Sequence, residues 1–524
     1  MIGHDLWSVL RSRAADGAER VLLDFAGARW TRAELVSASE RCAAGLAAAG
    51  VSPGDVVCHF SPNDAEVVVT MLALVRLGAV ECPVNAGLRG HQLAHVLRHS
   101  GATTLVADAR LTDRLLDVLP EVPDIERVIL RGEGEVPPGP RVVPYDVVRT
   151  GAGGALPAFR AHRPGAPLNI VYTSGTTGPA KGAVLPHAFP IEQARIKIEA
   201  WGLTADDVLF TALPLYHVNA RFSTLATAIV VGGRAAIQPS FSAGSFWDEV
   251  RRAGATEIGV VGAISNILML QAPCDGDRDH RVRMMHGAAG IPVSRRAEFE
   301  ERFGLRLVTG FAMTETGHFS TTSPDDPRRF EASGRAVPQF DVGIVDDDDE
   351  PVATGTVGEL VVRPRRPNAM MTGYHSDPAA TLAAFRNLWF HTGDLAHFDD
   401  DGYLHWVDRK KDAIRRRGEM ISSTELERVV LEHPAVAECA AFGVPAHLGE
   451  EDVKLVVVAR DGFALDVHGL AAFCAQRVPD FAAPRYIEVV DELPKGPTHK
   501  VEKTRLRARE PSAGTVDLLR ERRP

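Results

Sequence analysis

Short apolar runs alternate with longer stretches of helical periodicity from the first residues of this chain, the pattern of strands laid between helices. Val21–Phe25 and the residues just after it read as a hairpin. Thr31 followed by Glu34 is the spacing of a capping box, so a helix is expected to start there and to end near Gly50. Val56–Phe60 predicts a strand, Asn63–Leu77 an amphipathic helix and Ala79–Pro83 another strand. The rhythm returns at Thr103–Ala107, Val208–Leu213 and Glu257–Val261. Such alternation predicts an α/β fold with largely parallel sheets covered by helices. The Pro/Gly-rich stretches Val136–Pro144 and Gly151–Pro157 read as surface loops.

From about Gly334 the pattern shifts to short strands with tight turns, at Val342–Val345, Gly358–Arg363 and Gly402–Val407. These predict a small antiparallel, β-rich subdomain. After Asp408 a charged stretch, Arg409-Lys410-Lys411-Asp412, leads into a compact mixed segment. Its expected elements are helix Ser423–Glu432, strands Val436–Val444 and Val453–Ala459, helix Val467–Arg477 and strand Tyr486–Val490. With 524 residues the chain is too long for one core. The expected division is a large N-terminal domain over 1–408 and a small α+β C-terminal domain over 409–524.

Charge and cysteine content narrow the function classes. A net charge of −10 argues against a nucleic-acid partner. The acidic run Asp346-Asp347-Asp348-Asp349-Glu350 sits between two strand-like segments. A solvated hairpin tip is expected there, because neighbouring turn residues cannot all point at one ion. The six cysteines are scattered without a CxxC pair, which suits reduced, mostly buried thiols in a cytoplasmic protein. The first residues lack the charged and apolar regions of a secretory signal. The longest apolar helix candidate, Ala65 to Val80, carries Arg76 and is too short to span a bilayer, so no membrane insertion is expected.

The chemistry is concentrated in Tyr172-Thr173-Ser174-Gly175-Thr176-Thr177-Gly178-Pro179-Ala180-Lys181-Gly182. Glycines leave backbone N–H groups free to converge on an anion, hydroxyls add donors, and lysine brings a mobile positive charge. Those are the parts of a polyphosphate clamp. The spacing is not that of the Walker loop, in which Lys-Ser/Thr directly follows the last glycine. The segment resembles instead the signature loop of the adenylate-forming superfamily, which includes acyl-CoA synthetases, adenylation domains and luciferases. That resemblance implies that Thr173, Ser174, Gly175, Thr176, Thr177, Gly178 and Lys181 hold the phosphates of ATP.

Further segments resemble the superfamily's other motifs, in its order. Leu213–Ala220 resembles the element whose His or aromatic residue borders the carboxylate pocket, which places His217 there. Gly287-Ala288-Ala289 resembles the small-residue turn along the adenine. In Phe311-Ala312-Met313-Thr314-Glu315 the resemblance implies that Phe311 stacks on adenine, Thr314 contacts the α-phosphate and Glu315 helps to hold Mg²⁺. Two departures stand out: Phe311 replaces the usual tyrosine and Ala312 the usual glycine. Thr392-Gly393-Asp394 implies a ribose-binding Asp394, joined by Arg409. By the same register Lys411 is the hinge of a mobile C-terminal domain, Gly418 lies on the loop that serves the thiol, and Lys500 is the adenylation lysine.

The resemblance implies an enzyme that adenylates a small carboxylic acid with ATP and Mg²⁺ and then transfers the acyl group to coenzyme A. The run Arg416–Glu427 and the segment Leu215–Ala220 look most like the crotonobetaine/carnitine–CoA ligase and fatty-acyl-CoA synthetase branches. The chain ends soon after Lys500 with no appended carrier domain, which favours a diffusible thiol. The alternative is another acceptor, such as an amine or a carrier protein, or another oxyacid, such as nitrite for diazotisation of an arylamine. The protein is expected to act as a monomer or homodimer. Ala312 and the polar side chains of His217, Asn219, Arg221 and His318 lead to the expectation of a compact, polar or aromatic acid.

Overall fold

The computed structural model describes residues 3–156, 158–173, 179–287, 291–327, 329–416, 419–446, 451–478, 482–496, 500–509, 512 and 514–518. They fall into two compact units. The first holds the described chain up to Thr173, Pro179–Val342 and Arg363–Phe385; the second holds Gly343–Val362 and the chain from Arg386 onward.

Two sheets build the first unit. One runs in the order Arg306–Val308, Met284–His286, Glu257–Gly259, Val208–Thr211, Arg234–Ile237, Val21–Phe25, Ala28–Thr31. Its neighbours are parallel except for the hairpin at the Ala28–Thr31 edge. The other runs Gly373–Tyr374, Lys181–Pro186, Pro167–Thr173, Val80–Pro83, Val56–Phe60, Thr104–Asp108, Arg127–Arg131, Arg141–Pro144. It is parallel from Pro167–Thr173 to the far edge and antiparallel where Pro167–Thr173, Lys181–Pro186 and Gly373–Tyr374 pair. Its core packs Cys58, Phe60, Leu93, Leu97, Leu105 and Val128. The expected parallel α/β architecture is therefore observed.

Local sequence sets the helix ends. The Thr31 hydroxyl accepts from the Glu34 N–H at 3.2 Å while the Glu34 carboxylate accepts from the Thr31 N–H at 2.7 Å, closing the capping box of helix Arg32–Ala48. Helix Ala65–Leu77 is capped by Asp64 and ends on Gly78 at φ 82°. It is buried at every position from Val67 to Leu77 rather than amphipathic, because helix Arg32–Ala48, the N-terminal helix and strand Val80–Pro83 enclose it. Among the described residues no helix is long and apolar enough to cross a membrane. The strand expected over Glu257–Val261 stops at Gly259, because Val261 is already the N-cap of helix Gly262–Leu270.

The second unit begins with an antiparallel sheet in which Trp389–Phe398 pairs with both Gly358–Pro364 and Leu404–Arg409. The acidic run forms the expected tip. The Asp346 carboxylate accepts the N–H groups of Asp348 and Glu350, and Asp349 turns the chain at φ 64°. Beyond it, Val436–Pro445 pairs antiparallel with Glu451–Ala459, which lies parallel to Tyr486–Val490. Helices Ser423–Leu431 and Val467–Ala475 contribute Leu426, Val430 and Leu470 to a core shared with Ile414, Val457 and Ile487. This is the expected α+β segment. The cysteines are free thiols, all buried but Cys274.

Candidate nucleotide and acid site

The residues flanking the 174–178 stretch are pinned opposite each other. Strands Pro167–Thr173 and Lys181–Pro186 form a hairpin in which Thr173 pairs with Lys181, and the Thr173 hydroxyl donates to the Lys181 carbonyl at 3.4 Å. Ser174, Gly175, Thr176, Thr177 and Gly178 lie outside the described residues. Beside the hairpin the His95 ring lies 3.0 Å from the Ala180 carbonyl, and the His99 ring lies 2.7 Å from the Tyr172 hydroxyl.

Lys181 leads to the second motif through one aromatic ring. Its ammonium sits 5.0 Å over the Tyr374 ring, a cation–π contact. The Tyr374 hydroxyl donates to Glu315 Oε1 at 3.1 Å. Glu315 is buried at the turn between strands Gly310–Met313 and Gly317–Thr321, and its carbonyl accepts from the Met371 N–H at 2.7 Å. Thr314 sits half-buried on the same turn. Gln193 clamps the far side of that turn: its amide donates to the Thr316 carbonyl at 3.2 Å and accepts from the His318 N–H at 2.7 Å.

Gly287 is the point where another motif meets the seven-stranded sheet. It has φ +81°, and an added Cβ would lie 2.0 Å from the Val260 carbonyl oxygen, so the position admits only glycine. Ala288 and Ala289 lie outside the described residues. Phe311 is half-buried with its ring 5.4 Å from Phe319, and Ala312 is exposed. His217 is exposed, with its ring 4.5 Å from Tyr216. Asn219 donates to the Val260 carbonyl at 3.4 Å, and its buried Oδ1 has no hydrogen-bond partner among the described residues.

Arg221 departs from the expectation of a polar group near the pocket. Its guanidinium is fully buried against both Glu81 oxygens and also donates to the Leu215 carbonyl at 2.9 Å. His59 contacts Glu81 at 3.0 Å and Asn169 donates to it at 3.3 Å. Burial alone would raise the Glu81 carboxyl, but Arg221 and His59 outweigh it and bring it down to about 2. This saturated ion pair joins strand Val80–Pro83 to helix Asn219–Ala226 and leaves Arg221 with no role toward a substrate.

In the second unit Asp394 and Arg409 face each other across paired strands. Asp394 Oδ1 accepts from the Trp406 indole at 2.9 Å and forms an ion pair with Arg409, its Oδ1 lying 3.1 Å from Nε. Asp394 is 1% exposed while Arg409 stays half open. Lys500 has an exposed side chain, and its carbonyl accepts from the Gly496 N–H at 2.9 Å. Gly418 lies outside the described residues. Lys411 sits in a turn closed by the Asp412 and Ala413 N–H groups on the Arg409 carbonyl.

Sequence reasoning missed Tyr374, Gln193 and Lys197. The four-residue series Phe189, Gln193, Lys197, Trp201 on helix Phe189–Trp201 carried the signal, since all four are buried and two polar side chains stand in a row ended by aromatic rings.

Residues 10–375 match the AMP-binding enzyme family, and residues 425–500 match the AMP-binding enzyme C-terminal domain. The chain belongs to the AMP-binding enzyme family. It is 29% identical to a crotonobetaine/carnitine–CoA ligase of Salmonella choleraesuis (strain SC-B67) over 463 residues, 87% of this chain and 89% of the relative. Its fold superposes on ATP-bound MatB from Rhodopseudomonas palustris with a TM-score of 0.85 at 27% identity, covering 96% of this chain and 98% of that one. It also superposes on the Bacillus subtilis O-succinylbenzoate coenzyme A synthetase MenE in complex with ATP and magnesium ion, with a TM-score of 0.83 at 26% identity over 96% and 99% of the two chains.

Proposed function

We propose that the protein is an ATP-dependent acid–CoA ligase. The acid's carboxylate attacks the α-phosphorus of ATP, giving an acyl-adenylate and pyrophosphate. The thiol of coenzyme A then attacks the acyl carbon and AMP leaves. The observation that carries this reading is the Tyr374 bridge, which joins the phosphate-loop lysine to the Glu315 carboxylate. A carboxylate and a polyphosphate repel each other, so the first step depends on aligning them and neutralising charge. Thr173, the 174–178 segment and Lys181 are suited to hold the phosphates, and Thr314 to touch the α-phosphate. The Glu315 carboxylate is an oxygen donor of the kind Mg²⁺ takes, and bound Mg²⁺ would supply charge neutralisation on the phosphates.

Gly287 and Phe311 would border the adenine with Ala288 and Ala289, and His217 would border the acid. Asp394, oriented by Trp406 and Arg409, presents a fixed carboxylate to a vicinal diol. Lys500 would serve adenylation. A swing of the chain after Lys411 would then replace it with the Gly418 loop for thiol attack, which makes 409–524 the mobile domain. The name of the Salmonella relative supports coenzyme A as the acceptor.

The test is release of pyrophosphate and AMP from ATP and Mg²⁺ across a panel of acids, with and without coenzyme A. Acid-dependent pyrophosphate and CoA-dependent AMP are expected. AMP release that needs an amine, a carrier protein, or nitrite with an arylamine would assign the acceptor or oxyacid differently. No pyrophosphate with any acid would remove the reading.

A further inference from the structure

A cluster of buried polar groups with few hydrogen-bond partners among the described residues lies one helical turn beyond the Gln193 clamp. Lys197 is 1% exposed, and among the described residues its one hydrogen-bond acceptor is the Gln193 carbonyl, at 3.4 Å. Glu257, on strand Glu257–Gly259, is also 1% exposed, and neither of its oxygens has a hydrogen-bond partner among the described residues. Both ring nitrogens of buried His286, on the neighbouring strand, are without a hydrogen-bond partner as well, the nearest approach to Glu257 being 3.5 Å. Trp201 closes one side, 4.9 Å from the His286 ring and 6.0 Å from His318. The space for His286 comes from Gly259, where a Cβ would lie 2.8 Å from its Cε1.

Interiors seldom leave such groups unsatisfied, because each one buried without a partner costs stability. The cluster also adjoins two segments assigned above to the nucleotide, between which the acid has to meet the α-phosphate. His286 precedes Gly287, and His318 is held by the same Gln193 that grips the turn after Glu315. Burial lowers Lys197 to about 7 and raises Glu257 to about 8, each shift being partly offset by the charge of the other group.

We infer that Lys197, with Glu257, His286 and His318, recognises a second oxyanionic group on the acid, so that the substrate is a compact diacid. The inference rests on the ligase reading. In this arrangement Lys197 is the counter-ion and Glu257 donates a hydrogen bond. The two imidazoles and the Trp201 ring limit the length of what fits.

Pyrophosphate release with succinate against butyrate, and with phthalate against benzoate, tests it in wild-type protein and in Lys197→Met. Wild type should favour each diacid by about 10- to 100-fold in kcat/KM, the worth of a charge-assisted hydrogen bond. Lys197→Met should bring both ratios close to unity through KM, with kcat for butyrate and benzoate kept. The ligand-free Lys197→Met protein should also unfold at an equal or higher temperature, because a nearly unpartnered buried amine has given way to an apolar chain. A lowered midpoint, or diacid ratios that the substitution leaves unchanged, overturns the inference with the ligase reading intact. Failure of every acid overturns that reading instead, and the unfolding midpoint still decides the case of Lys197.

Discussion

Tyr374 divides its work between two neighbours, and the two halves can be separated. Its ring lies under the Lys181 ammonium and its hydroxyl donates to Glu315. Tyr374→Phe keeps the ring and removes the donor. A hydrogen bond to a charged group is worth about 1.5–3 kcal/mol, so kcat/KM for MgATP should fall by roughly tenfold or more. The loss should appear as a shift of the Mg²⁺ titration of pyrophosphate release to higher concentration. Tyr374→Leu should lose more, since the cation–π contact goes as well; equal activity in both variants would show that the ring does nothing for Lys181. Nothing in the sequence near Gly373-Tyr374 announced this residue, because its partners come from strands far away in the chain. Arg221 shows the reverse failure. It stands four residues after His217, directly after a recognised motif, yet its charge is spent on Glu81, which lies 140 residues earlier. Motif neighbourhood locates a backbone; it does not say which way a long side chain turns.

At the scale of elements the sequence was most legible where the determinants are local. The capping box at Thr31 and Glu34 and the acidic tip at 346–350 both depend on residues within a few positions of one another. The burial of helix Ala65–Leu77 on every side from Val67 onward was not legible, since it depends on which helices enclose it. The Gln193 clamp lies between these cases. It joins a helix to a hairpin turn whose glycine, Gly317, has φ +65° and would place a Cβ 2.1 Å from Gln193 Cδ. Gly317→Ala should therefore strain the backbone by about 1–2 kcal/mol and push Gln193 off a buried N–H, at about 1–3 kcal/mol more. Denaturant unfolding should report the sum, and activity should fall further than stability because the turn carries Thr314 and Glu315. Adding Gln193→Ala relieves the clash without restoring the bonds, so the double variant should recover only part of the loss. Full recovery would mean that the clamp holds nothing the turn needs.

At the scale of the whole molecule the two half-reactions ask different things of one chain, and two substitutions should divide them. Lys500→Ala should nearly abolish adenylate formation yet spare thioester formation from a supplied acyl-adenylate; equal loss of both in single-turnover assays would remove Lys500 from its assignment. Lys411→Pro should do the opposite. Asp408, three residues before Lys411, accepts from the Ser423 N–H at 2.5 Å and the Thr424 N–H at 3.4 Å, clasping the start of the helix beyond the turn. On the proposed swing, a rotation about Lys411 would release that clasp and take the turn to a second set of backbone angles. Proline holds φ near −65° and restricts the residue before it. The Lys411 N–H donates to no backbone acceptor among the described residues, so the ring removes no backbone–backbone bond from that turn. A penalty of about 3 kcal/mol for angles the ring resists is roughly 100-fold in rate. Pyrophosphate release in a single turnover should therefore persist while CoA-dependent AMP release falls by about that factor. Lys411→Ala, which loses the same charge without the restraint, should keep both steps. If alanine and proline behave alike, the ammonium of Lys411 matters and the hinge lies elsewhere in the chain.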